Sequence, residues 1–508
     1  MVKEAAVERR TFLRGAGLGV LALAVTPLLP ACSTGQPTPR GYSGQARPLP
    51  IPPLAQGELI DAARTFHLDA GAVDAQILPD ATTPAWGFNG GHLGPTLRLR
   101  RGEDVRMNVH NGLDEMTTIH WHGMKLPAIA DGGPHQPIEP GETWTPQWRV
   151  EQPAATLWYH PHPHERTALH AYRGLAGMIL IEDEVSDSLA LPSEYGVDDI
   201  PLAIMDQKFQ DNGHLDEVSD PDLGLMGDTP TINGITHAYF DATTSTLRLR
   251  LLNAATMRFY RLGFSDDRPF RVVATDSGFL PQPIEVTHLP ISPGERAEIV
   301  VDLEAGETVT LSSTPFPDNF GVPEDEYSLD FGLQDSFDLL EIRAADRLAA
   351  SLALPDTLAP DAAREVAVNG AVEREFVLNT FQINGQSMDM SRVDVTIDHD
   401  RPEIWTVTNE NADWIHNFHI HDATFKVLSL DGTDVEVFTS GWKDTVALPP
   451  GATARLAVEF GYYPDPHWAY MYHCHMLLHE DSGMMGQFVI VPPGERAALA
   501  MGAGHGHG

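Results

Sequence analysis

Cysteine is almost absent: Cys32 and Cys474 are the only two among 508 residues. That excludes a disulfide-stapled fold, and with Cys32 removed or modified no intramolecular bridge is possible at all. Basic residues are scarce too, with 33 Lys and Arg against 71 Asp and Glu and a formal charge of -38. So acidic a surface repels nucleic acid and anionic lipid and speaks against both as partners. The N-terminal apolar run GLGVLALAV has about ten residues, half of what spans a bilayer. The apolar fraction of 42% is ordinary for a globular protein, and the length suits about three domains.

The N-terminus reads as an export leader. Arg9 and Arg10, followed by Phe12 and Leu13, resemble a twin-arginine signal, which exports folded proteins. The stretch LLPAC resembles a lipoprotein cleavage site, with Cys32 as the residue to be lipidated and Pro30 where a small residue is usual. Residues 1–32 are therefore read as a signal peptide with a lipobox. Residues 33–57, rich in proline, are read as an extended tether. The expected location is the cell envelope (periplasm or outer face of the cytoplasmic membrane), with membrane attachment through a lipidated Cys32. The chain is expected to be a monomer.

Three segments echo one another. RRGEDVRMNVHNGL, TSTLRLRLLNAAT and RPEIWTVTNENAD alternate like strands and carry Asn111, Asn253 and Asn409 at their ends. Each is followed by a Pro-Gly turn, at Pro140, Pro293 and Pro450, at nearly equal spacing. Two markers repeating in step predict three homologous all-β domains of Greek-key type, over 58–186, 187–355 and 356–495. A Gly/His-rich tail, 496–508, carries His505 and His507 and is read as a disordered end with weak affinity for a metal ion.

The histidines come in pairs. TTIHWHGMKLP holds His120 and His122; LWYHPHPHERT holds His160 and His162. WIHNFHIHDATF holds His416, His419 and His421; MYHCHMLLHEDSGMM holds His473, His475 and His479. On a strand, residues i and i+2 face one side, so each His-x-His pair can present two imidazoles to one site. Cys474, between His473 and His475, would face the other way and link two metal centres through a short stretch of backbone. A thiolate, two imidazoles and a weak axial thioether make a blue-copper site, and Cys474, His479, Met484 and His416 supply that set.

These four segments resemble the four copper motifs of the multicopper oxidases. H-x-H-G matches at His120–Gly123 and H-x-H at His160 and His162. H-x-x-H-x-H matches at His416, His419 and His421, and H-C-H-x-x-x-H-x-x-x-x-M from His473 to Met484. The resemblance covers about residues 58–495. It implies three cupredoxin-like domains and four copper ions. His416, Cys474, His479 and Met484 would hold the type 1 ion, and His120 and His419 the type 2 ion. His122, His160, His162, His421, His473 and His475 would hold the type 3 pair. It also implies that Asp131 and Glu480 supply protons for reducing O2 to water. The middle domain lacks ligands, carrying MRFYRLGF where its neighbours carry histidines, and is read as a spacer.

The substrate stays open between phenolic compounds, as for a laccase, and Cu(I), as in copper tolerance. In cuprous oxidases an Asp-x-Met element precedes the type 1 histidine; here Ala412, Asp413 and Trp414 stand there. GQSMDMSR offers Met388 and Met390 with Asp389 as a thin substitute. A copper-nitrite reductase lacks the full type 3 set and fits poorly. A copper-sequestering or structural envelope protein of the same fold is the remaining alternative.

Overall fold

The three echoes become three copies of one hydrogen-bonded arrangement. This computed structural model describes residues 45–499, apart from 326–327, 367, 400, 432–435 and 462. The leader, Cys32, and the tail with His505 and His507 lie outside the described residues. Asn111, Asn253 and Asn409 are buried at the ends of the strands Asp104–Asn111, Thr246–Asn253 and Glu403–Asn409. Each Oδ1 accepts the N–H two residues on, from Leu113, Ala255 and Asn411, at 3.0 Å. This is the Asx turn, a side chain standing in for backbone. Each Nδ2 also donates to a carbonyl before the Pro-Gly turn, that of Ile138, Ile291 or Leu448. Gly141, Gly294 and Gly451 then take φ of 80°, 85° and 71°. A proline followed by a left-handed glycine is the type II turn, and other residues are strained at that second place.

Pairing repeats as well. The three strands run parallel to the earlier strands Ala63–Ala75, Asp199–Gln207 and Val372–Asn379. They run antiparallel to the later strands Gln147–Arg149, Arg296–Asp302 and Thr453–Phe460. Among the described residues six sheets result, two for each domain, with neighbours out of chain order as Greek keys require. The fold is all-β, three consecutive cupredoxin-like domains. Each domain closes on its own core, for example Leu68, Val105 and Trp121, then Leu202, Leu249 and Val300, then Trp405, Phe418 and Leu456.

The strand Thr246–Asn253 departs from what its alternation suggests. Arg248 and Arg250 look solvent-facing in TLRLRLLN, yet all eight residues are buried. The arginine face lies against the first domain, where Glu298 joins Arg248, Arg250 and Thr156. The proline-rich tether is also shorter than read. Arg47–Pro48 pairs with the strand Ala238–Thr244 of the middle domain, and Leu54–Ala55 with Thr96–Arg100 of the first. From Arg47 onward it is strapped to the body. Among the described residues no helix is long and apolar enough to cross a membrane.

Candidate metal centre

The histidine motifs lie on adjacent strands. His120–His122 pairs antiparallel with Ala155–His160, setting His120 opposite His160. In the third domain His416–Ile420 pairs with Tyr470–His473, setting His419 opposite His473. The histidines of the two sheets meet ring on ring. The ring of His122 stacks on His419 with centroids 3.7 Å apart, and His120 on His421 at 3.8 Å. Together with His160, His162, His473 and His475 they form a buried cluster of eight imidazoles, four from each domain.

Hydrogen bonds turn these rings inward. Nδ1 of His120, His160, His419 and His473 donates to the carbonyls of Asp131, Pro161, Asp444 and Cys474, at 3.0, 2.8, 2.9 and 3.1 Å. That fixes the tautomer and leaves Nε2 a bare lone pair. Nε2 of His120, His160 and His419 and both nitrogens of His475 have no hydrogen-bond partner among the described residues. His421 Nε2 and His473 Nε2 lie 3.1 Å apart, and His162 Nε2 lies 3.3 Å from His473 Nε2. Buried nitrogens left unpaired and facing one another are costly, and a cation between them removes the cost. Burial also drives His122, His160, His419, His421 and His475 well below the ordinary histidine range, and His162 down to about 4. They are held neutral, as metal ligands must be.

Cys474 faces a second, smaller group. Its Sγ is 3.7 Å from His416 Nδ1 and 3.5 Å from His479 Nδ1, and those two nitrogens are 3.1 Å apart. Met484 is buried beside them, its carbonyl accepting the Cys474 N–H at 3.1 Å. Burial pushes the thiol up to about 12 and His479 down to about 3. A thiol so placed ionises only against a cation, and a sulfur and two imidazoles suit a soft metal. On the outer side the half-buried Trp414 stacks on His479 at 5.6 Å, and Phe381 meets it edge-on at 5.4 Å. The stretch from Ser387 to Met390 packs on the Met484 loop, where Met388 N–H bonds the carbonyl of Gly483 at 2.9 Å. Met388 and Met390 are half-buried there and Asp389 is exposed.

Two carboxylates flank the imidazole cluster. Asp131 Oδ2 accepts from His421 Nδ1 at 2.7 Å, and Oδ1 lies 3.4 Å from His120 Nδ1. Glu480 reaches His162 Nδ1 at 3.3 Å and His473 Nδ1 at 3.1 Å. Burial alone would raise Glu480, but the imidazole nitrogens of His162 and His473 beside it hold its carboxyl well below the usual carboxylate range.

Asp444 went unrecognised in the sequence, because no histidine motif contains it. Its carboxylate is buried 3.2 Å from His122 Nε2, in the run GWKDTVALPP, where adjacent charges amid apolar residues are the only hint. The middle domain is also more than a spacer. It supplies no imidazole to the cluster, yet its Pro293 carbonyl holds Asn417 Nδ2 at 2.8 Å and Arg296 pairs with Asp444. The Pro-Gly turn of the repeat carries it there.

The family description "Multicopper oxidase" matches residues 70–186 and again 359–494. A curated relative, "Cell division protein FtsP" of Yersinia pestis, is 36% identical over 96% of this chain and 98% of its own. The chain belongs to the multicopper oxidase family. Among solved structures, a multi-copper oxidase from Pediococcus acidilactici superposes with a TM-score of 0.80 at 32% identity, covering 91% of this chain and 95% of that one. A laccase-like multi-copper oxidase, CueO, from Ochrobactrum sp. gives 0.78 at 35% identity, covering 87% and 100%. Copper is the metal this family implies, and the orphaned, inward-facing nitrogens and buried thiol fit it.

Proposed function

We propose that this protein is a four-copper oxidase that couples one-electron oxidation of a reducing substrate to reduction of O2 to two waters. The observation that carries the reading is the covalent continuity of the two donor groups. Cys474 belongs to the His416–His479 group, while its chain neighbours His473 and His475 both belong to the imidazole cluster. His416, Cys474, His479 and Met484 would hold the type 1 ion, and His120 and His419 the type 2 ion. The type 3 pair divides into His122, His160 and His475 for one ion and His162, His421 and His473 for the other. Bound there, copper would supply one-electron redox chemistry at the cysteine site and four-electron reduction of O2 at the cluster.

The chain's own residues do the rest. Cys474 and its two peptide bonds join the sites. Asp131 and Glu480, each touching two cluster imidazoles, hand on the four protons that balance four electrons. Buried aromatic and aliphatic side chains keep bulk water from the cysteine site. Trp414 and Phe381 cover the His479 edge and favour a flat phenolic donor; the Met388–Met390 stretch is the feature that favours Cu(I). The N-terminal leader supports export to the envelope.

A second reading rests on the relative named a cell division protein: a structural envelope role on the same fold. The complete donor set favours catalysis. O2 uptake by the copper-loaded chain separates these readings, with Cu(I) or a methoxyphenol as sole reductant and Cys474→Ser as control. Uptake with either reductant, abolished in the variant, supports the oxidase and names its substrate. No uptake with either leaves the structural role.

A further inference from the structure

Arg296 is buried where all three domains meet, and every one of its side-chain donors is used. Nε donates to the Thr156 carbonyl of the first domain at 3.1 Å. Nη1 and Nη2 donate to the Gly294 and Asp276 carbonyls of the middle domain at 2.9 and 2.8 Å. The remaining two hydrogens form a fork on Asp444 of the third domain, Nη1 to Oδ1 at 2.8 Å and Nη2 to Oδ2 at 2.6 Å. Five donors meet five acceptors, the full capacity of a guanidinium.

Asp444 faces the cluster in turn. Its Oδ1 accepts from Thr445 Oγ1 at 2.9 Å and from His122 Nε2 at 3.2 Å. His122 is thus reversed relative to His120, His160, His419 and His473. Its Nε2 is taken by a carboxylate, and its Nδ1 is the nitrogen without a partner. The same turn presses on a second ligand: a Cβ at Gly294 would stand 2.9 Å from the His475 ring. Its φ of 85° and that gap both demand glycine.

We infer that Arg296, from the domain without ligands, is a positioning residue for the cluster. By orienting the Asp444 carboxylate it captures the His122 Nε2–H and presents His122 Nδ1 to a metal ion. The pair fixes one tautomer, and the three-domain clamp holds that nitrogen against His160 and His475. This inference rests on the four-copper reading.

The test compares the copper-loaded full chain with Arg296→Lys, Arg296→Met and Asp444→Asn. Copper per chain, the blue absorption of the cysteine site, the near-ultraviolet band of the type 3 pair and the melting of the metal-free form are read. Glu298→Gln serves as a control on the same strand, since the bonds it breaks run to Arg248, Arg250 and Thr156 and to no imidazole. Outer partners of metal ligands are worth about 10–100-fold in affinity or activity. The blue absorption should persist, while cluster copper affinity and the rate of reoxidation by O2 fall by about that factor in Arg296→Met and Asp444→Asn. Arg296→Lys, which keeps the charge but loses the fork, should fall between. Glu298→Gln should melt lower yet fill its cluster like the wild type. Wild-type affinity and reoxidation in all three variants would overturn the inference. So would parallel loss of blue and cluster copper in step with melting, in both the Arg296 variants and the control, because Arg296 would then serve the fold alone. Failure of the wild type to load copper would instead sink the four-copper reading.

Discussion

Trp414 lies over His479 with the two rings inclined by 25° and their centroids 5.6 Å apart. His479 is fully buried, so a reductant meets the half-buried indole before it meets the imidazole. Aromatic pairing of this kind is worth about 0.5–1.5 kcal/mol, up to about tenfold in binding. Trp414→Ala should therefore raise KM for a methoxyphenol by about tenfold, without the same rise for Cu(I), which gains nothing from a ring face. Steady-state O2 uptake with each reductant measures this. Equal changes for both would remove Trp414 from substrate recognition.

The two donor groups should be separable. Cys474→Ser keeps the size of the side chain and removes the soft donor, so the blue absorption and O2 uptake should both vanish while the metal-free fold melts as before. His120→Ala should keep the blue absorption and lose O2 reduction, because His120 stands wholly within the imidazole cluster. Absorption spectra and anaerobic reduction of the blue band check both. Loss of the blue colour in His120→Ala would contradict the separation.

The repeat and the donor set were legible because each left a periodic trace. The asparagine and Pro-Gly markers recur since the same Asx and type II turns recur, and His-x-His spacing mirrors the strand period. Asp444 and Arg296 left no such trace. They meet across 148 residues through a domain seam, and nothing local in either segment requires the other. The burial of Arg248 and Arg250 is hidden for a related reason: a charged strand face looks solvent-facing until another domain covers it. The tether was misread past Arg47 because an extended proline-rich segment looks alike free or paired at a sheet edge.

Proton supply should be separable from electron entry. Glu480 touches His162 and His473, and Asp131 touches His120 and His421. Glu480→Gln and Asp131→Asn keep shape and remove the ionisable group. O2 uptake should fall by about 10²–10⁴-fold, the usual worth of a positioned acid or base. Anaerobic reduction of the blue band by substrate should stay within about twofold, because no proton is consumed at that step. Stopped-flow absorbance resolves the two steps, and a matching loss in both would mean the carboxylates only hold the ligands.

Glu298 sets an acid limit on the fold itself. Burial alone would raise its carboxyl, but Arg248 and Arg250 hold it down at about 2. Arg250 Nη1 and Thr156 Oγ1 reach Oε1 at 2.9 and 2.6 Å. A carboxylate depressed on folding stabilises the protein above its unfolded pKa and loses that contribution as pH falls through the folded value. From the ordinary glutamate value of 4.5 down to about 2, the contribution is about 3 kcal/mol at neutral pH. It fades as pH drops from about 4.5 toward 2. Glu298→Gln leaves the buried Arg248 guanidinium short of its counter-charge, while Arg250 keeps Asp199, and should cost about 3–5 kcal/mol at pH 7. Toward pH 2 the gap to the wild type should narrow, since the wild-type carboxyl is then protonated as well. Denaturant unfolding of the metal-free protein at the two pH values measures both gaps. A gap of the same size at both would mean that Glu298 acts through packing rather than through its charge.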